Sequence, residues 1–139
     1  MEFKKFDDTY VVRLDRGEEL VSSIKNLCEK EDITLGTISG LGAANHIIVG
    51  LYKVEEKKYY SKEFNGDFEL TSIVGNISKK ENDTYLHIHL NFGDENGIAH
   101  GGHLNEAVIS ATCELFIRKI AGSVNRKYDE NVGLNLYEF

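Results

Sequence analysis

The chain has 139 residues, 41% of them hydrophobic, with 16 Lys and Arg against 23 Asp and Glu for a formal charge of −7. That length suits one domain, residues 1–139, with apolar material enough for a real core. No run approaches the ~18 apolar residues of a membrane span, and no basic tail or stripe offers the Lys and Arg that neutralise phosphates, so a generic nucleic-acid surface is disfavoured.

Met1-Glu2-Phe3-Lys4-Lys5 leads into a polar, acidic stretch without a signal-peptide pattern. Residues 10–14 read as a strand. Asp15-Arg16-Gly17 then turns the chain into an amphipathic helix over residues 18–30, with Leu20, Ile24, Leu27 and Cys28 on one face. Residues 34–41 and 46–53 read as two strands, with a tight turn at Ser39-Gly40-Leu41-Gly42-Ala43-Ala44-Asn45 between them. That segment lacks the third glycine of a dinucleotide loop and the Gly-Lys-Ser/Thr of a phosphate loop. Residues 57–64 are charged enough to suit an exposed edge strand. Asn65-Gly66-Asp67 is a hairpin signal, and residues 68–78 form a long strand in which Gly75 marks a bulge or a close backbone approach.

Glu81-Asn82-Asp83 is the next turn, residues 85–92 the next strand, and residues 93–97 turn the chain back. The segment 104–120 begins with helical spacing at Leu104, Ala107, Val108 and Ala111. It continues with strand spacing at Cys113, Leu115 and Ile117, and so reads as a short helix running into a strand. Residues 121–131 read as a polar loop and 133–139 as a final strand. The sum is an α+β fold, about seven mostly antiparallel strands flanked by one long and one short helix. Cys28 and Cys113, the two cysteines, sit in apolar patterns and read as reduced core residues of a cytoplasmic protein.

The chemistry concentrates in Leu86-His87-Ile88-His89-Leu90 and Gly101-Gly102-His103. In a strand, residues i and i+2 face the same way, about 6.6 Å apart. His87 and His89 therefore converge on one side, while Leu86, Ile88, Leu90 and Phe92 face a core. The 13 residues between His89 and His103 allow a turn and a return to the same spot. Three neutral imidazoles with a vacant fourth position suit Zn2+ or another divalent metal, and leave that position to water or a small molecule. The plainer alternative is a hydrogen-bonded histidine cluster at a subunit interface.

His100, three positions before His103, is a secondary candidate for the metal. Glu106 and Glu114 are candidates to orient an imidazole through its other nitrogen, although Glu106 equally suits the N-terminus of a helix. His46 reads as an ordinary strand residue. No nucleophile elbow, Cys-x-x-Cys or triad spacing occurs, and no general base declares itself, so the chain is not identified as an enzyme.

Together Ile38-Ser39-Gly40-Leu41-Gly42, the segment Asn65-Gly66-Asp67-Phe68-Glu69-Leu70-Thr71-Ser72-Ile73-Val74-Gly75, Leu86-His87-Ile88-His89-Leu90 and Gly101-Gly102-His103-Leu104 resemble, in order and spacing, the plants and prokaryotes conserved (PPC) domain, which in plants follows an AT-hook. The resemblance spans residues 5–139. It implies an antiparallel sheet of about seven strands flanked by helices and assembled as a homotrimer. For bacterial and archaeal members it also implies a metal, usually assigned as zinc, at positions matching His87, His89 and His103. Two departures bear on function. The chain has no proline, hence no Arg-Gly-Arg-Pro hook. Where plant members commonly carry Gly-Arg-Phe-Glu it has Gly66-Asp67-Phe68-Glu69.

Two functions follow as expectations. The first is a cytoplasmic, trimeric, metal-binding domain that binds or transforms a small-molecule ligand. The alternative is a DNA-associated or transcriptional regulatory protein lacking an AT-hook. A scaffold trimer with structural histidines is the third and least specific reading.

Overall fold

The computed structural model describes residues 1–139. In chain order it runs β1 (Glu2–Phe6), β2 (Thr9–Asp15), α1 (Leu20–Lys30), β3 (Gly36–Lys53), β4 (Lys58–Lys80), β5 (Asp83–Gly93), β6 (Ala99–Lys119), β7 (Asn125–Asp129) and β8 (Leu134–Glu138). The strands form one sheet in the order β1-β2-β6-β3-β4-β7-β8, and β5 pairs with both β4 and β6. The pairs β3–β4, β4–β5, β5–β6 and β6–β3 therefore close into a ring. Every pairing is antiparallel except a one-residue parallel contact, Lys79 with Asn125.

Strand alternation and the helix stripe deliver one core of 25 buried residues. From α1 it takes Leu20, Ile24, Leu27 and Cys28. Glu19 caps this helix. Its carboxylate accepts from the backbone N–H groups of Val21 at 2.8 Å and Ser22 at 2.7 Å, and from that of Ala107 in β6 at 3.3 Å. The group that satisfies the helix's open N–H groups thus also fastens the helix to the sheet. Cys28 and Cys113 are buried and unpaired, and burial pushes both thiols up to about 12.

The α+β class holds, with one helix and eight strands rather than two helices and about seven strands. The short helix expected after Leu104 is absent, since residues 99–119 are all strand β6. Register breaks produced the misleading spacing. Between the pairs Val49–Leu104 and Ile48–Glu106, β6 carries one extra residue. Between Gly42–Cys113 and Ala44–Ile109 it advances four residues to the two of β3. Buried positions accordingly step by three from Leu104 to Ala107 and by four from Ile109 to Cys113, which imitates a helix.

The same physics removes two expected turns. Residues 39–45 lie inside the single strand β3, where Gly42 lets β6 approach so closely that a Cβ there would sit 2.6 Å from the Thr112 carbonyl oxygen. Asn65-Gly66-Asp67 lies inside β4, which pairs with β3 on both sides of it, so the extra residue makes a bulge and no reversal. Residues 58–65 pair only with β3 and keep a free edge, as their charge suggested. β1 was not anticipated, and the expected polar loop at 121–131 contains β7.

Gly75 is a close-approach glycine, paired with Ile88. A Cβ at this position would lie 2.9 Å from both the His87 carbonyl oxygen and Ile88 Cγ1. We predict that Gly75→Ala destabilises the protein by about 1–3 kcal/mol in chemical denaturation, the usual penalty for overpacking. An unchanged midpoint would show that β4 and β5 can part freely beside the histidine strand.

Candidate metal centre

β5 and β6 bring the three predicted histidines together. His89 lies directly opposite His103 in the β5–β6 ladder, and His87 precedes His89 by two residues on the same face. Ring centroids are 5.1 Å apart for His87 and His89, 5.2 Å for His87 and His103, and 5.6 Å for His89 and His103. One nitrogen from each ring falls within 4.8 Å of the others. A tetrahedral zinc with ~2.0–2.1 Å bonds wants its nitrogens about 3.3 Å apart, closer than the 4.8 Å within which these nitrogens lie.

Two of the three imidazoles are held in the form that a metal requires. Burial, then the neighbouring His103, His89 and Arg126, push the His87 imidazole down to about 4. Burial and His89 also lower His103. Both rings are therefore neutral at pH 7, with lone pairs available for a metal.

The cluster opens into a cavity of about 490 Å³. Its walls come from β3 and β4 (Gly50, Leu51, Tyr52, Tyr59), from Tyr85 and Gly102 beside the histidines, and from the C-terminal hairpin (Arg126, Leu134, Asn135, Leu136). None of these residues is acidic. The Tyr59 ring stands edge-on to His103 at 6.0 Å, and its hydroxyl donates to the Asn105 side chain. Burial raises the Tyr59 phenol.

The other candidates lie elsewhere. His100 is an odd number of residues from His103, so alternation turns it to the opposite face. There it packs against Phe64 and Phe92, and its Nε2 lies 3.0 Å from the Asp94 carboxylate. Glu106 pairs with His46 at 3.5 Å and orients none of the three histidines. With no helix here, its expected role at a helix N-terminus also lapses. Glu114 faces Arg13 across the β2–β6 ladder. His46 is an ordinary strand residue, its Nδ1 2.8 Å from the Asn65 side-chain oxygen. Two residues escaped the sequence reading. Tyr59 sat in an apparently solvated edge, and Arg126 in an apparent loop. Tyr59 is brought to the site by its contacts with His103 and Asn105 of β6, and Arg126 by the packing of the β7–β8 hairpin against Tyr85 and Ser78.

Fold and site together define a sheet domain with an open three-histidine cluster. The chain belongs to the Plants and Prokaryotes Conserved (PCC) domain family, whose model matches residues 1–121. A metal-containing protein from Archaeoglobus fulgidus is 34% identical, with 99% of this chain and 97% of that one covered and a TM-score of 0.90. The plant- and prokaryote-conserved protein of Pyrococcus horikoshii is 33% identical over 99% of this chain and 94% of its own, with a TM-score of 0.87. A presumed DNA-binding protein from Bacteroides thetaiotaomicron is 29% identical, with coverage of 99% and 96% and a TM-score of 0.97. No curated protein matches the chain in sequence.

The depressed His87 gives a pH signature in metal-free protein. Above the ordinary histidine value of 6.5 both folded and unfolded forms are neutral, and no penalty applies. As pH falls from 6.5 to about 4 the unfolded chain takes a proton that folded His87 refuses, so stability drops across that window. We predict that His87→Asn flattens part of this loss in denaturation curves taken from pH 7 to pH 4. Identical profiles for the two proteins would refute the assignment.

Proposed function

We propose that this chain is a metal-binding domain in which His87, His89 and His103 hold one divalent ion, zinc by preference, and leave a coordination position to a small-molecule ligand. The observation that carries this is the convergence of three imidazole nitrogens within 4.8 Å in the wall of a cavity. The name of the Archaeoglobus fulgidus relative, a metal-containing protein, supports the same reading. When bound with an open position, such an ion lowers the pKa of its water towards ~7 and polarises a carbonyl or phosphoryl oxygen. The chain's own contribution is to keep His87 and His103 neutral, fix the imidazole directions through the β5–β6 register and wall the ligand space with Leu51, Tyr59 and Tyr85. No carboxylate stands in the cavity to act as a general base, so we assign ligand binding and no reaction. Two buried, unpaired thiols fit the reducing cytoplasm, where we place the protein. No helix is long and apolar enough to cross a membrane.

Metal analysis of protein purified without a histidine tag tests the centre. We expect one metal per chain, with His103→Ala and His89→Ala each falling well below that while remaining folded by circular dichroism. Full metal content in both variants would contradict the assignment.

We further propose that the chain self-associates as the homotrimer implied by the family resemblance. Val11, Leu41, Val74 and Phe116 are 38%, 56%, 59% and 57% exposed. They lie on one face of neighbouring strands, since Val11 pairs with Phe116, Phe116 with Ser39 and Ser39 with Val74, and Leu41 follows Ser39 by two residues on β3. A run of this kind on a soluble domain marks an interaction surface. Sedimentation equilibrium should give three chains per particle, and Phe116→Asp should release single chains. A monomeric wild type would end the proposal. The DNA-binding reading, carried by the name of the Bacteroides thetaiotaomicron relative, finds no support in a charge of −7.

A further inference from the structure

Arg126 is the only charged residue among the buried ones, at 9% exposure. It comes from the β7–β8 hairpin, beyond the 121 residues that match the family model. Its partners are all neutral. Nε donates to Ser78 Oγ at 2.9 Å, one terminal nitrogen to the Asn135 carbonyl at 2.9 Å, and the other to Asn76 Oδ1 at 3.0 Å. Its guanidinium carbon lies 4.6 Å from the Tyr85 ring centroid and 4.2 Å from that of Tyr137. No ion pair includes it, although a buried cation ordinarily has a counter-ion.

A guanidinium has five N–H groups. Three are engaged here, which leaves one on each terminal nitrogen. Arg126 also lines the cavity that holds the three histidines, and no lining residue is acidic. A metal on neutral imidazoles would add two further positive charges with no carboxylate in the cavity lining to balance them. The cavity therefore selects an anion. Its size, about 490 Å³, and its walls of Leu51, Tyr59, Leu134 and Leu136 suit an organic body better than a bare inorganic ion.

We propose that Arg126 is the anion-binding residue of this cavity and that the ligand is a small organic carboxylate, its charged end on the guanidinium and its apolar body against the leucine and tyrosine walls. The assignment deepens the metal-centre reading and rests on it for the three histidines being a ligand site. It gives the C-terminal hairpin a purpose, since β7 supplies the cation and β8 adds Leu134 and Leu136 to the apolar wall.

Calorimetric titration with phenylacetate, and with its neutral analogue phenylacetamide, tests this in metal-loaded and chelator-treated protein. Phenylacetate should bind the wild type, phenylacetamide should not, and Arg126→Gln should weaken phenylacetate at least about tenfold, as loss of a charge-assisted pair requires. Arg126→Lys should fall between the two. Equal affinity for acid and amide in the wild type overturns the proposal without any variant. So does no phenylacetate binding at tens of millimolar, the result expected if a carboxylate from another copy of the chain already sits on Arg126. Metal content is read separately. Protein that takes up no metal yet binds phenylacetate through Arg126 contradicts the metal centre and supports the carboxylate site.

Discussion

The pairing of β5 with β6 is the constraint on which this protein's chemistry depends. It closes the ring that begins with β3 and β4, and it sets His89 directly opposite His103. A slip of one residue would turn His103 to the other face and bring Gly102 or Leu104 into its place, because side chains alternate strictly along a strand. The register is held from below by Ile88, Leu90 and Phe92, which are buried in the core on the face opposite the histidines. Hydrophobic burial thus fixes the geometry of a polar site it never touches.

A second constraint is electrostatic. Three imidazoles packed this closely are compatible only while at least two stay neutral, and burial ensures that for His87 and His103. The surrounding surface is acidic overall, yet the cavity lining contains no carboxylate and one buried guanidinium. Charge is therefore segregated, negative outside and positive within. Such a site draws its selectivity from the ligand's own charge.

The histidine site was legible in the sequence because its information is local. An i, i+2 pair in an alternating strand states its own geometry, and the Gly101-Gly102 step places His103 where β6 can approach β5. Gly75 was legible for the same reason, as a residue with no side chain in the middle of a strand. The rest failed where the sequence carries pairing information only between distant segments. β3, β4 and β6 are long strands broken by bulges, and each bulge shifts the apolar period by one or two residues. Read locally, those shifts resemble a helix after Leu104 and turns at residues 39–45 and 65–67. Arg126 was invisible for a related reason. Its burial comes from Tyr85, Ser78 and Asn76 on strands 40 to 50 residues earlier, and the Arg126-Lys127 pair by itself reads as solvated charge.

Anomalous diffraction at the zinc absorption edge, from crystals of protein purified without a histidine tag, tests the central claim most directly. The account predicts one strong peak per chain, within about 2.0–2.1 Å of a nitrogen of each of His87, His89 and His103. A metal-replete protein with no peak there, or with its peak beside His46 and Glu106 instead, would contradict it.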